Sequence, residues 1–375
     1  MSISILMIVR STLYTSPGGD TTQILMTAKY LRELDVKVDI KTTDEISSEI
    51  NYSYDLIHFF NIIRPDDILP YISNINIPFV VSTIFVDYSE YEKKNRRGIP
   101  GLIFKTFSSG QIEYLKAIAR RIINGDKIKS NYYLLNGHKN SMNRVVAKSS
   151  ILLPNSNNEG LRLSQYLQKE LNYEKVVNAI DPSVFHSDVI PNEQYKDHVL
   201  CVGRIEGRKN QLNLIKALLD TDLKLTIIGR PSPNHLKYFD ECKKTASGHP
   251  NIQFIEHISH ADLVGIYSSA KVHVLPSWFE TTGLSSLEAG VMNCNIVVTK
   301  RGDTEEYFGD MAYYCEPDNL QSIREFVLKA HREPVNKNLR QHILNNLTWE
   351  KAASQTFEAY KKIIKKNNEN SNNRN

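Results

Sequence analysis

Two glutamates, Glu280 and Glu288, lie in a segment that is expected to pass from a strand through a loop into a helix. The segment, residues 271–290, begins with a β-branched run, bends at Pro276 and continues through Gly283 into residues that favour a helix. Backbone N–H groups at a helix start have no partner within the helix and can hold a phosphate. A carboxylate further along the helix can accept hydrogen bonds from a diol. The pattern therefore predicts a site with the chemistry to bind a nucleotide sugar.

A second loop, residues 202–210, supplies cations. Arg204 and Lys209 follow Gly203, where a predicted strand ends. Arginine offers a planar fork and lysine a point charge, and together they suit a diphosphate. Both loops follow strands, so in a parallel sheet they emerge at the same carboxyl edge, where ligands bind. The turn with Gly229 and Arg230 is expected to join them there.

These residues resemble a known enzyme family. Glu280 and Glu288 match the Glu-x7-Glu signature of the retaining glycosyltransferases of family 4, and Arg204 and Lys209 match its Gly-Arg-x-x-x-x-Lys element. The likeness covers nearly the whole chain and is strongest over residues 199–290. The chain resembles in particular the group 1 glycosyltransferases of bacterial surface polysaccharide assembly. The resemblance implies the α/β GT-B fold, with two Rossmann-like doubly wound domains facing a cleft and a C-terminal helix that packs back on the N-terminal domain.

The resemblance also implies a role for each site residue. Glu280 would hold hydroxyls of the transferred sugar and Glu288 the ribose diol, while Arg204 and Lys209 would bind the diphosphate. Thr282, Gly283 and Leu284 would offer backbone N–H groups. The remaining donor contacts implied by the resemblance are Gly18, Gly19, Gly203, Gly229, Arg230, His257 and Ile258. A glycine pair is common in plain turns, and His257 is equally consistent with a surface histidine.

One region departs from the family pattern. Family members often carry a His-Asp pair after the fourth strand, and here Ile84 or Phe85 takes the place of the histidine. Asp87 is the only nearby ionisable residue and is therefore the candidate catalytic carboxylate. A missing base need not abolish the reaction, because the departing phosphate oxygen can take the acceptor proton. His58, on another strand, is expected to pack against the core.

One segment of the sequence has the pattern of a metal site but not the expected position of one. Asp220-Thr221-Asp222 has the Asp-x-Asp pattern with which the other large glycosyltransferase fold holds a divalent cation. It precedes a predicted strand, so it should lie at the amino edge of the sheet, opposite the proposed site. We therefore expect a helix-to-strand turn there, no catalytic metal and no cofactor.

The length of 375 residues predicts two domains, because a single core stops growing below that size. The expected divisions are an acceptor-binding domain over residues 1–190, a donor domain over 191–348, a helix over 349–366 and a disordered tail over 367–375. Four separated cysteines fit a reducing compartment. No apolar run is long enough to cross a bilayer, and no signal peptide is recognised. A cytoplasmic location is expected.

The net charge is only +4, and no nucleic-acid-binding pattern is present. Basic residues concentrate at Lys93, Lys94, Arg96, Arg97, Lys116, Arg120, Arg121, Lys127 and Lys129, and again over residues 361–366. They fit either a solvated basic face or peripheral contact with an anionic membrane or acceptor headgroup, which would lie on the inner face of the cytoplasmic membrane.

The sequence thus predicts a retaining glycosyltransferase that moves a sugar from a UDP- or GDP-sugar to a glycan or lipid-linked acceptor. O-antigen, lipopolysaccharide or capsule biosynthesis is the expected context, by resemblance alone. Two alternatives stay open: a sugar-nucleotide epimerase of the same fold, and a non-catalytic sugar-nucleotide-binding protein. Turnover of a donor with a matched acceptor separates the three.

Overall fold

The computed structural model describes residues 3–46, 53–73, 75–95, 106, 109–124 and 128–372. Its contacts divide the chain into two compact units. The N-terminal unit comprises Met1–Phe85, Glu92–Val177 and Trp349–Asn375. The C-terminal unit comprises Val86–Tyr91 and Asn178–Thr348.

The division falls earlier in the chain than the predicted boundary at residue 190. Hydrogen bonds explain the difference, because they tie the residues after 177 to the C-terminal unit. The Asn178 N–H donates to the Tyr307 hydroxyl over 3.0 Å, and the Ile180 N–H donates to the Leu347 carbonyl oxygen over 3.0 Å. Residues 178–190, which were expected in the N-terminal domain, therefore belong to the C-terminal unit.

A five-stranded parallel sheet forms the centre of the N-terminal unit, in the order β2-β1-β3-β4-β5. Four of its strands are buried and apolar on both faces, as is typical of parallel strands covered by helices, whereas the edge strand, residues 37–42, alternates buried residues with more exposed ones. The five strands are β1 (Ser4–Val9), β2 (Lys37–Thr42), β3 (Leu56–Phe60), β4 (Phe79–Ser82) and β5 (Ile151–Leu153).

The helices of this half of the chain follow the strands as predicted. They are α1 (Gly19–Glu33), α2 (Leu69–Ile72), α3 (Ser89–Asn95), α4 (Ser109–Asn124), α5 (Asn131–Lys148) and α6 (Asn157–Leu167). Helix α6 begins where the Ser156 hydroxyl accepts the Glu159 N–H over 2.9 Å, a hydrogen bond that satisfies a donor left unpaired at the helix start.

The C-terminal unit contains a six-stranded parallel sheet in the order β11-β10-β9-β6-β7-β8. The strands are β6 (Val199–Val202), β7 (Leu225–Ile228), β8 (Ile252–Ile255), β9 (Val272–Leu275), β10 (Asn295–Thr299) and β11 (Tyr313–Cys315). The helices are α7 (Gln211–Leu218), α8 (Leu236–Ala246), α9 (His260–Ser269), α10 (Leu284–Val291), α11 (Thr304–Phe308), α12 (Leu320–Arg332) and α13 (Lys337–Asn346). The prediction of two parallel α/β domains is confirmed.

The last helix, α14 (Trp349–Asn372), belongs to the N-terminal unit and contacts α1, as expected. The Tyr360 hydroxyl lies 2.6 Å from Nδ1 of His58, whose Nε2 lies 2.9 Å from the Ser82 hydroxyl. Burial lowers the pKa of His58 to about 3, so this histidine is a neutral core residue, as predicted.

The described helix continues to Asn372, whereas a disordered tail was predicted from residue 367. The polar tail has nothing to bury, but adding exposed turns to an existing helix costs little because nucleation has already occurred. Residues 373–375 lie outside the described residues.

The Asp220-Thr221-Asp222 segment lies between α7 and β7, at the amino end of that strand, as predicted. Among the described residues, no group of three or more His, Cys, Asp and Glu side chains could hold a metal ion. The metal independence of the reaction stays a prediction. No helix in the described ranges is long and apolar enough to cross a membrane.

Candidate active site

Two neighbouring strands of the C-terminal sheet bring a lysine and a glutamate together. Lys209 ends a short 3-10 turn, Gly207–Lys209, after β6, and Glu280 lies in the loop between β9 and α10. Lys209 Nζ is 2.6 Å from Glu280 Oε2. Because β6 and β9 are adjacent and parallel, their loops meet at one carboxyl edge, as the sequence predicted.

The environment of Lys209 keeps its ammonium group charged. Burial lowers the pKa of Lys209, but the Glu280 carboxylate, with smaller contributions from Tyr88 and Glu206, outweighs burial, and the pKa lies above its ordinary value. The site therefore holds a positive charge on Lys209 at neutral pH, paired with the Glu280 carboxylate.

The backbone of Glu280 is held on both sides. Its N–H donates to the Arg301 carbonyl oxygen, and its own carbonyl oxygen accepts the Asp303 N–H, each over 2.9 Å. A Cβ on Gly302 would lie 1.9 Å from that carbonyl oxygen, so only glycine permits this approach. The Ser277 hydroxyl also donates to Glu280 Oε2 over 3.2 Å. The carboxylate is therefore fixed before any ligand arrives.

Helix α10 begins at Gly283, whose φ of +69° favours glycine. The preceding Thr282 is buried, and its hydroxyl accepts the Asn178 side-chain amide over 3.3 Å. Among hydrogen bonds of the described residues, none uses the N–H of Thr282, Gly283 or Leu284. These three N–H groups are consequently available to an anion.

Glu288, on the same helix, lies within packed protein, although solvent still reaches part of its side chain. The Tyr267 hydroxyl donates to Glu288 Oε2 over 3.3 Å. Burial raises the pKa of Glu288 to about 7, and the hydrogen bond from Tyr267 opposes the rise without cancelling it. Glu288 therefore changes charge close to neutral pH.

The other predicted donor residues of this unit lie on loops after β6, β7 and β8. Gly203 donates its N–H to the Ile228 carbonyl oxygen over 2.9 Å, and a Cβ on Gly229 would lie 2.0 Å from the Gly203 carbonyl oxygen. This close approach requires glycine at position 229. The neighbouring side chains of Arg204, Arg230 and His257 are exposed, and Ile258 is half-buried.

Gly18 and Gly19 lie in the N-terminal unit, after β1. Gly18 is the N-cap of α1, and its N–H donates to the Thr21 hydroxyl over 3.0 Å. Beside it, the Arg10 guanidinium pairs with the Asp20 carboxylate at 2.7 Å and fixes the loop. The glycine pair is thus at a helix start on a carboxyl edge, as the sequence indicated.

Asp87 has a local structural contact. Its Oδ1 accepts the Ser89 N–H over 2.8 Å, which is the contact of a side chain that closes a turn. The carboxylate is half-buried and belongs to the short segment, residues 86–91, that is grouped with the C-terminal unit. The contact gives Asp87 a role in the turn, and its role as a catalytic carboxylate stays a prediction.

The same segment contains residues that sequence reasoning missed. The ring of Tyr88 lies under the Arg208 guanidinium at 4.6 Å, and the Tyr91 and Trp278 rings have centroids 6.0 Å apart. Arg208 in turn binds Glu206 at 2.7 Å. Segment 86–91 therefore packs beside the residues that precede Lys209 and Glu280. These residues lie far apart in the sequence, so no local pattern indicated the contact.

A scan against protein families identifies the part of the chain that carries this site. Residues 186–347 match the model described as glycosyl transferases group 1. The match includes both loops of the Lys209–Glu280 pair, so the family match and the geometry concern the same residues.

A curated relative of this chain is the O-antigen chain mannosyltransferase B of Escherichia coli, 25% identical over 185 residues, which cover 44% of this chain and 46% of that protein. The chain thus spans less than half the length of the curated relatives it matches.

Solved structures match over nearly the whole chain. Sucrose-phosphate synthase from Thermosynechococcus elongatus has a TM-score of 0.72 at 14% identity, covering 96% of this chain and 99% of the other. HepE of Anabaena, solved in complex with UDP, has a TM-score of 0.70 at 14% identity, covering 96% and 100%. At such identities the likeness shows the fold, which is that of GT-B glycosyltransferases.

The raised pKa of Glu288 predicts a pH-dependent effect of Glu288→Gln. A carboxyl whose folded pKa lies near 7 instead of 4.5 stabilises the fold below its unfolded pKa, and this stabilisation is lost as the pH rises through 7. The neutral variant should therefore be more stable than the wild type at about pH 8, by on the order of 3 kcal/mol in the free energy of unfolding, and the difference should vanish below about pH 4.

Thermal unfolding at several pH values checks this expectation. The matched control is Glu325→Gln, an exposed glutamate on α12 of the same unit. If the stabilities of the wild type and Glu288→Gln depend on pH in the same way, the raised pKa of Glu288 is contradicted.

Proposed function

We propose that this chain is a retaining glycosyltransferase that moves a sugar from a UDP- or GDP-sugar onto a glycan or lipid-linked acceptor. The observation that supports it is the Lys209–Glu280 ion pair of 2.6 Å beside the unpaired N–H groups at the start of α10. An anion site next to a fixed carboxylate suits a ligand in which a diphosphate is joined to a sugar.

In the proposed complex, Lys209 and the three N–H groups stabilise the charge that develops on the departing diphosphate. Arg204 extends from the same loop as Lys209 and is exposed, so it is free to approach the same oxygens. Groups positioned before the reaction stabilise a leaving charge more effectively than water does, because they need not reorient. Glu280 accepts hydrogen bonds from hydroxyls of the transferred sugar, and Glu288 accepts them from the ribose.

The anomeric carbon keeps its configuration because the acceptor attacks the same face of the sugar ring from which the diphosphate departs. The bond between the anomeric carbon and the phosphate oxygen breaks, the acceptor oxygen bonds to that carbon, and the departing phosphate oxygen takes the acceptor proton. This route needs no protein base, which agrees with the turn-closing contact of Asp87. The chain then contributes mainly position and charge.

The proposed context is bacterial surface polysaccharide assembly, including O-antigen, lipopolysaccharide and capsule. The relative named as an O-antigen chain mannosyltransferase and the structural neighbour solved with UDP support this context and a nucleotide-linked donor. We propose that the reaction takes place in the cytoplasm, where such donors are available.

A donor screen tests the proposed function. UDP-, GDP- and dTDP-sugars are compared by thermal shift, since a ligand at a hundred times its dissociation constant stabilises the fold by about 2.7 kcal/mol. The stabilising donor is then incubated with candidate acceptors, and the products are identified by mass spectrometry and NMR. Conversion of the donor without an acceptor would indicate an epimerase instead, and binding without turnover a non-catalytic protein.

The two glutamates should respond differently to the same substitution. Glu280→Gln should lower kcat strongly and change nucleotide affinity little, because its contact strengthens as the glycosidic bond breaks. Glu288→Gln should weaken binding of free nucleotide by about 1 to 3 kcal/mol, the cost of losing hydrogen bonds to a charged acceptor. Isothermal titration with UDP and GDP, beside steady-state kinetics, measures both. If both variants behave like wild type, the proposed site is wrong.

The rate of sugar transfer should be unchanged after exhaustive treatment with EDTA. Lys209 and Arg204 are available to neutralise the diphosphate, and Asp220-Thr221-Asp222 lies at the opposite edge of the sheet. The measurement is the transfer rate before and after chelation. Activity that is lost and then restored by Mn²⁺ or Mg²⁺ would contradict the proposal.

Peripheral contact with an anionic membrane is proposed as a further property of the enzyme. Leu115 on α4 is 43% exposed, and Lys116 on the same helix pairs with Glu113 at 2.9 Å. Several of the basic residues that motivated the idea lie outside the described residues or have undescribed side chains: Arg96, Arg97, Arg120, Arg121 and Lys127. The basic end of α14 is described, and its Lys362 pairs with Glu174 at 2.7 Å.

Liposome co-sedimentation should therefore require anionic lipid and weaken with added salt, because surface attraction is screened over about 8 Å at physiological ionic strength. Vesicles of neutral lipid are the control. Equal sedimentation with both vesicles, or with neither, would reject the membrane contact.

A further inference from the structure

Segment 86–91 contacts both loops that carry the Lys209–Glu280 pair. The Lys209 loop comprises residues 203–210, after β6, and the Glu280 loop comprises residues 276–283, after β9. The segment is grouped with these loops in the C-terminal unit, although the residues on either side of it belong to the N-terminal unit. Its place in that unit is therefore determined by side-chain contacts with the loops and not by its neighbours in the sequence.

Tyr88 bridges the two loops. Its ring lies under the Arg208 guanidinium at 4.6 Å, and its centroid is 5.9 Å from that of the Phe279 ring in an edge-to-face arrangement. A cation is attracted to the negative face of an aromatic ring, and an edge-to-face ring pair is also attractive. One side chain therefore holds a residue of the Lys209 loop together with a residue of the Glu280 loop.

Tyr91 bridges the same two loops at a second point. Its ring centroid is 6.0 Å from that of Trp278, in the Glu280 loop. Its hydroxyl lies against Gly207, in the Lys209 loop, where a Cβ would be 2.0 Å from the hydroxyl oxygen. The backbone of Gly207 is not in the left-handed region, so the contact with Tyr91, and not the backbone conformation, requires glycine at this position.

Arg301 connects the segment to Glu280 itself. Its guanidinium pairs with the Glu90 carboxylate at 2.8 Å and lies 5.4 Å from the centroid of the Trp278 ring. Its carbonyl oxygen accepts the Glu280 N–H over 2.9 Å. Glu90 is 46% exposed, and an ion pair with an exposed partner contributes little by itself. The aromatic contacts of Tyr88 and Tyr91 therefore hold the segment more firmly than the ion pair does.

We propose that segment 86–91 positions the Lys209–Glu280 pair for sugar transfer, and that Tyr88 and Tyr91 are its positioning residues. Each tyrosine contacts one residue of the Lys209 loop and one of the Glu280 loop, so together they fix how the two loops lie against each other. A small displacement of groups that stabilise a transition state lowers the rate strongly. The inference rests on the proposed function, because that function makes the pair part of the reaction.

Gly207→Ala is the test variant because it places a methyl group where the Tyr91 hydroxyl lies. The tyrosine must then move, since an added methyl group in a packed region displaces its neighbours. Tyr91→Phe is the compensating variant, because it removes the hydroxyl, and the nearest remaining ring atom, Cζ, would be 3.1 Å from the new Cβ. The effect of Gly207→Ala is therefore measured both in the wild type and in the Tyr91→Phe background.

The kcat for transfer is measured at saturating donor and acceptor, well below the unfolding temperature. Gly207→Ala should lower kcat by about tenfold in the wild type and by no more than about twofold in the Tyr91→Phe background. The matched control is Gly110→Ala in the N-terminal unit, where a Cβ would also meet a tyrosine hydroxyl, that of Tyr166, at 2.5 Å. This control should leave kcat unchanged.

Thermal unfolding of the same proteins separates positioning from a purely structural role. If the contact between Tyr91 and Gly207 only stabilises the fold, Gly207→Ala lowers the unfolding temperature and leaves kcat unchanged. That result would overturn the proposal.

Amide hydrogen exchange provides a second readout that does not depend on turnover. Peptides from the Lys209 loop and the Glu280 loop should exchange faster in Gly207→Ala than in the wild type, and Tyr91→Phe should reverse the change. If Gly207→Ala does not fold, Tyr88→Leu takes its place and should lower kcat more than Tyr88→Phe, which keeps the ring. A wild type that transfers no sugar contradicts the proposed function. A wild type that transfers sugar, with a kcat that none of these substitutions lowers, overturns this inference alone.

Discussion

The ion pair between Lys209 and Glu280, at the carboxyl edge of the C-terminal sheet, constrains the loops around it. Lys209 and Glu280 are 2.6 Å apart, with side chains that are 23% and 10% exposed. Removing one partner of such a pair leaves a poorly solvated charge, which is far more destabilising than replacing both. The two loops must therefore stay together, and they hold a cation and a carboxylate in a fixed relation before any donor binds.

The surrounding backbone explains how the loops come so close. Gly302 lets the chain after β10 approach the Glu280 carbonyl, and Gly229 lets the turn after β7 approach Gly203. At each of these positions a Cβ would overlap a carbonyl oxygen. The neighbouring start of α10 then offers N–H groups to the same ligand. A parallel sheet places these loops at one edge, and the glycines allow them to pack there.

Much of this could be predicted from the sequence. The alternation of apolar runs with helical patterns predicted both parallel sheets. The position of each motif directly after a strand predicted that Lys209 and Glu280 lie at the same edge of the sheet. The residue types indicated the chemistry, since cations, helix-start N–H groups and carboxylates match the parts of a sugar nucleotide. The hydrogen bond from Tyr267 to Glu288 and the contact of Ser277 with Glu280 could not be predicted, because each depends on side-chain packing.

The differences have a common physical cause. The boundary near residue 190 and the tail from residue 367 were inferred from local composition, whereas the structure decides them by contacts between residues that are distant in sequence or by the extension of an existing helix. The packing of segment 86–91 beside Arg208 and Trp278 is the clearest case, since its residues come from the other half of the chain. Periodicity identifies elements, but it carries no information about which loops meet.

A crystal structure of the protein with the sugar nucleotide that most stabilises it tests the central claim most directly. The account predicts that the diphosphate contacts Lys209 and the N–H groups of residues 282–284, and that a sugar hydroxyl lies within hydrogen-bond distance of the Glu280 carboxylate. A nucleotide bound away from the loops after β6 and β9, with the Lys209–Glu280 pair unchanged and untouched by ligand, would contradict it.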